Sequence, residues 1–230
     1  MIALVRYQTA GLLRSHRWIF PLIAYALLIS VGGAESGNQA GAAAAALRAQ
    51  ALAGGLDWNA AILVPVVALL TRSMLIAEPA AARACVSAAR GPVRAQLATL
   101  VVAFACGAVL GLAGAGYELV TLGHHTALLL PFVAGLGKAF VCTMVGSAVG
   151  TLFNPPLIRH AAAALLSTIA AVVVAMVSSV SPASAALRGN GATIQAAAWP
   201  AGVPLLAAFA LVAAAWGLSC WLSGRRADSA

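Results

Sequence analysis

Charge is scarce in this sequence. Only 8% of its 230 residues are Asp, Glu, Lys or Arg, against about 25% in soluble domains, while 63% are hydrophobic and the mean hydropathy is +0.99. A water-soluble globule is thereby excluded. Acidic residues are scarcest, five against 13 Lys+Arg, giving a net charge of +8. That positive charge forms no basic stripe with interleaved aromatics on a soluble face, so no nucleic-acid partner is expected. Paired cysteines are missing too. Cys85, Cys106, Cys142 and Cys220 are scattered, with no C-x-x-C spacing; a disulfide framework or zinc site needs closer, patterned ligands. They read as small apolar packers, and no metal is expected on this chain.

What is present is a series of apolar runs. A helix crossing the hydrocarbon core takes about 20 apolar residues, and six such runs lie at roughly 18–34, 58–77, 97–116, 128–153, 157–180 and 200–222. The expected fold is a single all-α integral membrane domain over 1–230, with six transmembrane helices. Trp18, Trp58, Trp199 and Trp221 fall at span ends, where an indole prefers the wet side of the interface. Arg6, Arg14 and Arg17 before the run 18–31 share the layout of a signal peptide; the expectation here is a retained first span. Ten of the basic residues lie on one side of this map and only Arg48 and Arg188 on the other. Both termini are therefore expected in the cytoplasm, in a multi-pass protein of a bacterial inner membrane.

Three connecting segments complete the map. Residues 2–17 alternate apolar and basic positions, as an interfacial amphipathic helix does. Residues 40–53, ended by Gly54-Gly55, read as a short external helix, and 181–198 as an external loop with Pro and Gly at its turns. No internal repeat is legible.

The segment 78–97, EPAAARACVSAARGPVRAQL, follows span two. Pro79 suits the first turn of a helix and Glu78 complements its dipole. Arg83, Ser87, Arg90 and Arg94 recur at helical spacing as a polar stripe, and Gly91-Pro92 bends the chain back toward the membrane. Two readings stand: a basic helix held by anionic lipid head groups, or a helix that docks into a cytosolic partner. Span four carries a G-x-x-x-G face at Gly146 and Gly150, and span three a similar one at Gly107 and Gly111. Such small residues let membrane helices approach closely, and most often do only that. Asn154-Pro155-Pro156 reads as a tight turn before Arg159.

Taken together, these segments resemble the permease subunits of ABC-2-type transporters, particularly the Ala-rich actinobacterial kind. Members of that family have six spans, an interfacial N-terminal helix and a short coupling helix between spans two and three. That helix is often opened by a Glu and closed by a Pro-x-x-Arg-like turn. Glu78 and the run Gly91-Pro92-Val93-Arg94 occupy those places, with the Arg one residue early. A G-x-x-x-G followed by an Asn-containing turn at the end of span four, as in Gly146 to Asn154, is also common in the family. The topology match covers nearly the whole chain and the sequence match about 40 residues; the short segment between spans five and six shows no re-entrant hairpin. The resemblance implies a dimer of permease subunits, identical or paralogous, exporting an amphiphilic substrate. Cytosolic ABC ATPases would bind ATP and Mg and grip the coupling segment 78–96, with Glu78, Arg83, Ser87, Arg90 and Arg94 as docking residues. This chain would hold no cofactor and would not be an enzyme by itself. Its nearest approach to a P-loop, Gly135-Leu136-Gly137-Lys138-Ala139, lacks the upstream Gly and the Ser/Thr that reaches Mg.

Lys138 stands as the one clear intramembrane charge. Either it faces a cavity or partner near the midplane, as a candidate pathway residue, or it snorkels to the outer interface. Glu118, His124 and His125 read as a solvated loop rather than a metal or pH-sensing site, and His160 as an interfacial cap. Ser147 has no deep His with which to form a protease site. Two other classes compete. An ion-coupled secondary transporter usually places Asp or Glu within its spans, whereas all five acids here map to span ends or loops. A membrane scaffold or immunity protein would use the basic segment to bind lipid alone.

Overall fold

The computed structural model describes residues 2–40, 45–77, 80–122, 129–153, 160–188 and 194–227. Among these residues there is no strand, and the elements in order are α1 (Ile2–Arg14), a 3-10 turn (His16–Trp18), α2 (Ile19–Ala40), α3 (Ala45–Ala77), α4 (Ala80–Arg90), α5 (Pro92–Leu122), α6 (Leu129–Leu152), α7 (Ala161–Val177), α8 (Pro182–Arg188) and α9 (Ile194–Ala227). Helices satisfy every internal N–H and C=O within one segment, which is what a chain this apolar needs in lipid. Five segments are long and apolar enough to cross a membrane: Gln50–Ala77, Pro92–Thr121, Pro131–Leu152, Ala162–Arg188 and Gly202–Arg225. A sixth arises if α1 and α2, bent by 75° to each other, form one broken span.

The helices α3 and α6 are the centre of the bundle. They pack on each other more extensively than any other pair, with α2 and α5 against α3 and with α9 against α6. Every residue from 141 to 150 of α6 is buried. Glycine sets how close the pair comes. A Cβ on Gly146 would lie 2.6 Å from the Val64 carbonyl oxygen, and one on Gly150 would lie 2.6 Å from that of Ala68. Gly107 and Gly111 of α5 face Val67 and Leu63 of α3 in the same way, with Cβ contacts of 2.9 and 3.1 Å. The periphery is different: 61% of the most apolar window of α3 and of α6 is buried, against 17% in the span Ala162–Arg188 and 28% in the span Gly202–Arg225. Leu166, Val173, Val177, Leu206 and Phe209 are accordingly exposed.

Several boundaries differ from the sequence reading. Residues 45–53 are not a separate short helix ended by glycine; they are the first turns of α3, which runs unbroken through Gly54 and Gly55. A glycine inside a helix costs about 1 kcal/mol relative to Ala, and Gly55 is needed here for a close contact described below. Residues 182–188 are a helix, α8, which packs on α6 and α9 rather than standing as a loop. Arg94 does not belong to the connecting helix. Gly91 alone has a positive φ (84°) among the described residues, and it ends α4 with its N–H donating to the Ser87 carbonyl at 2.8 Å. Pro92 then opens α5, as a residue lacking a backbone donor can, so Arg94 sits in the first turn of the next long helix.

Candidate functional site

Polar chemistry gathers at two places on this apolar frame. Asp57 lies 20 residues before the end of α3, about 30 Å at 1.5 Å per residue, so the two places are at opposite ends of the bundle.

The first is α4. On this short helix Arg90 is exposed and Ser87 is half-buried, its hydroxyl donating to the Ala84 carbonyl. Arg94 is exposed one turn into α5. Arg83 lies on the same helix, its side chain outside the described residues, and Glu78, Pro79 and the turn 154–159 lie outside them altogether. Near this end α1 packs over α5, leaving a cavity of about 230 Å³ lined by Tyr7, Leu12, Arg14, Met74, Thr99 and Val102 among others. Apolar walls with a guanidinium at the rim suit an amphiphile with an anionic head.

The second is a buried polar layer where α2, α3, α5 and α6 meet. Lys138 Nζ of α6 contacts Asp57 Oδ1 of α3 at 2.6 Å, with the two side chains 15% and 36% exposed. Both residues lie seven positions inside their spans, Asp57 from Gln50 and Lys138 from Pro131, or about 10 Å deep by the helical rise. Lys138 is thus not isolated. Two residues along α3, the Asn59 amide donates to the Gly111 carbonyl at 3.2 Å and its oxygen accepts from the Tyr25 hydroxyl at 2.7 Å. The Tyr25 oxygen also lies 2.7 Å from the Leu110 carbonyl. Gly114 makes room for this cluster, since a Cβ there would fall 2.5 Å from Asn59 Oδ1. Glu118, a further turn along α5, is fully buried, and neither carboxyl oxygen has a hydrogen-bond partner among the described residues. It abuts Gly55, where a Cβ would lie 2.5 Å from Oε2.

Two sequence inferences are corrected by this layer. Asp57 is not at a span end but seven residues inside one, because α3 begins well before Trp58, and Glu118 is not in a solvated loop but buried in the last turns of α5, which continues past residue 116. Lys138 is therefore not the one charge inside the spans. Sequence reasoning missed Asp57, Glu118, Tyr25 and Asn59 as a group, although a lone intramembrane Lys asks for an acid and Asp57 was the nearest one to a span. Ser147, read against a protease, accepts a hydrogen bond from Trp216 Nε1 at 3.2 Å. His124 and His125 lie outside the described residues. Among the described residues no cluster of three His, Cys, Asp or Glu could hold a metal ion.

Long apolar helices with ionisable groups sealed among them define an all-α, multi-pass membrane protein. No family model, curated protein or solved structure matches the chain.

Proposed function

We propose that this chain is the membrane-spanning subunit of an ABC-2-type transporter, exporting an amphiphilic substrate across a bacterial inner membrane. The observation that carries the reading is α4: a short helix set between two long spans, with Arg90 exposed on it and Arg94 exposed just beyond the Gly91 break. Cytosolic ATPases, which supply ATP and Mg, would hold this helix together with Glu78, Arg83 and Ser87. The 75° turn between α1 and α2 supports an interfacial α1 with the termini on the ATPase side. A second permease copy, identical or paralogous, and lipid would cover the apolar faces of α7 and α9. The decisive experiment is native mass spectrometry of the tagged protein co-expressed with its neighbouring genes. Two ATPase and two permease chains in one particle support the reading, and charge reversal at Arg83, Arg90 and Arg94 should then abolish association without loss of insertion. A bare permease in the presence of an ATPase, or association that survives the triple reversal, refutes it.

Ion-coupled secondary transport is the second reading, and the half-buried Asp57–Lys138 pair with the sealed Glu118 favours it. Ionisable groups inside spans are costly and commonly mark ion pathways.

A further inference from the structure

Glu118 has the least expected surroundings in the molecule. Its carboxyl is sealed from solvent, and no described residue donates a hydrogen bond to it. The ionisable and polar groups on the packed neighbours are engaged elsewhere. Asp57 of α3 and Lys138 of α6 hold each other, and Tyr25 of α2 and Asn59 of α3 bond together. Arg14 of α1, Arg72 of α3 and Arg90 of α4 belong to the opposite end, where α1 meets α5 near Thr99 and Val102; α9 meets α5 at Gln96 and Phe104, also toward that end. Arg188 of α8 donates to the Val177 carbonyl, and the side chains of Arg48, two turns before Gly55 on α3, and of His124 and His125 lie outside the described residues. An ionised carboxylate so placed would have neither water nor a counter-charge among the described side chains, the arrangement proteins avoid most strongly. A metal ion would need several oxygen ligands, and an organic ammonium would need a cavity. Gly55 lies too close for either, since even a methyl group on it would clash with Oε2. The proton is the one cation that fits the space.

We propose that Glu118 is a proton-binding site: the carboxyl carries a proton while α3 and α5 are packed, and releases it when that end of the bundle opens. The exchange is a simple one. Water at the bundle end takes the proton from the carboxyl oxygen, leaving a carboxylate, and the reverse step restores the O–H; no other bond changes. Glu118 is four residues from the end of α5 at Leu122, about 6 Å by the helical rise, so the water reached is that beyond the far end from α4. A carboxylate formed at the Gly55 contact must take up water, for which there is no room while α3 and α5 are packed, so proton release and opening are one event. The site stands whichever energy source drives the protein, and its test is independent of any ATPase.

The test is infrared spectroscopy of the full-length chain in lipid nanodiscs, with and without 13C-glutamate. The chain has only three glutamates, Glu35, Glu78 and Glu118, so the band is assignable. At neutral pH the wild type should show the carbonyl stretch of a protonated carboxylic acid. It should shift with the label and be absent in Glu118→Gln. On alkaline titration the wild type should lose the band and melt at lower temperature, while Glu118→Gln, the neutral isostere, should keep its melting temperature. Identical spectra for wild type and variant in that region overturn the proposal. So does failure of Glu118→Gln to insert and fold, because a neutral acid is replaceable by its amide.

Discussion

Replacing Lys138 by Met strips Asp57 of its counter-charge inside the bundle. At 2.6 Å and an effective dielectric of about 20, Coulomb's law gives roughly 6 kcal/mol for the pair. Desolvation of the two ions offsets most of that, and the exposed third of Asp57 reduces both terms. A net coupling of about 1–3 kcal/mol is expected from such a pair. Lys138→Met and Asp57→Asn should each destabilise the protein by about 1–2 kcal/mol, since breaking a half-buried pair leaves one charge uncompensated where solvent screens it only in part. The double variant carries no charge there, and should recover to within about 1 kcal/mol of wild type. Reversible unfolding in mixed micelles by a denaturing detergent measures all four proteins in one cycle. If the double variant equals the sum of the singles within about 0.5 kcal/mol, the two residues do not act as a pair and the polar layer has been misread. Under the transport reading Lys138→Met should also change the transport rate, because the ion pair between α3 and α6 would be gone.

Three further outcomes are expected. Gly146→Ala and Gly150→Ala should each cost about 1–3 kcal/mol as overpacking, because the obstructing atom is a carbonyl oxygen of α3 and cannot rotate away. Gly137→Ala, on the same helix with open space around its Cβ position, should instead be neutral or stabilising by up to about 1 kcal/mol; equal effects on the melting temperature would refute the close α3–α6 contact. Gly91→Ala should cost about 1–2 kcal/mol for a side chain at positive φ, seen as a lower melting temperature, whereas an unchanged one would mean that α4 and α5 do not break there. Tyr25→Phe should cost about 1 kcal/mol through its lost hydrogen bond to Asn59, and Asn59→Ala made on top of it should then add less than it does alone.

Hydropathy made the apolar frame legible, because a run such as that of α6, bounded by Leu129 and Leu152, needs no tertiary information to be recognised. The Gly91 break was legible for a local reason as well: Gly followed by Pro both permits a positive φ and opens a new helix. The start of α3 and the end of α5 were not. Averaged apolarity falls wherever a charged residue enters the window, so Asp57 and Glu118 each pulled a boundary inward and placed themselves outside it. Their helices in fact continue, because the other faces of those turns carry Leu52, Leu56 and Ala115, which are fully buried.

A stronger inference was available from charge balance. Lys138 sits within an apolar run whose neighbours offer no oxygen, and the chain holds only five acids with which to answer it. Asp57 adjoins a span, and it is the acid that answers. Glu118 is then left over inside the bundle without a cation among the described residues, and a buried acid without a cation must be neutral or must move. That remainder, rather than the ion pair, is where the fold is able to change state. The pair joins the two central helices, α3 and α6, while the unpaired acid lies on the α3–α5 seam, which ionisation alone would open.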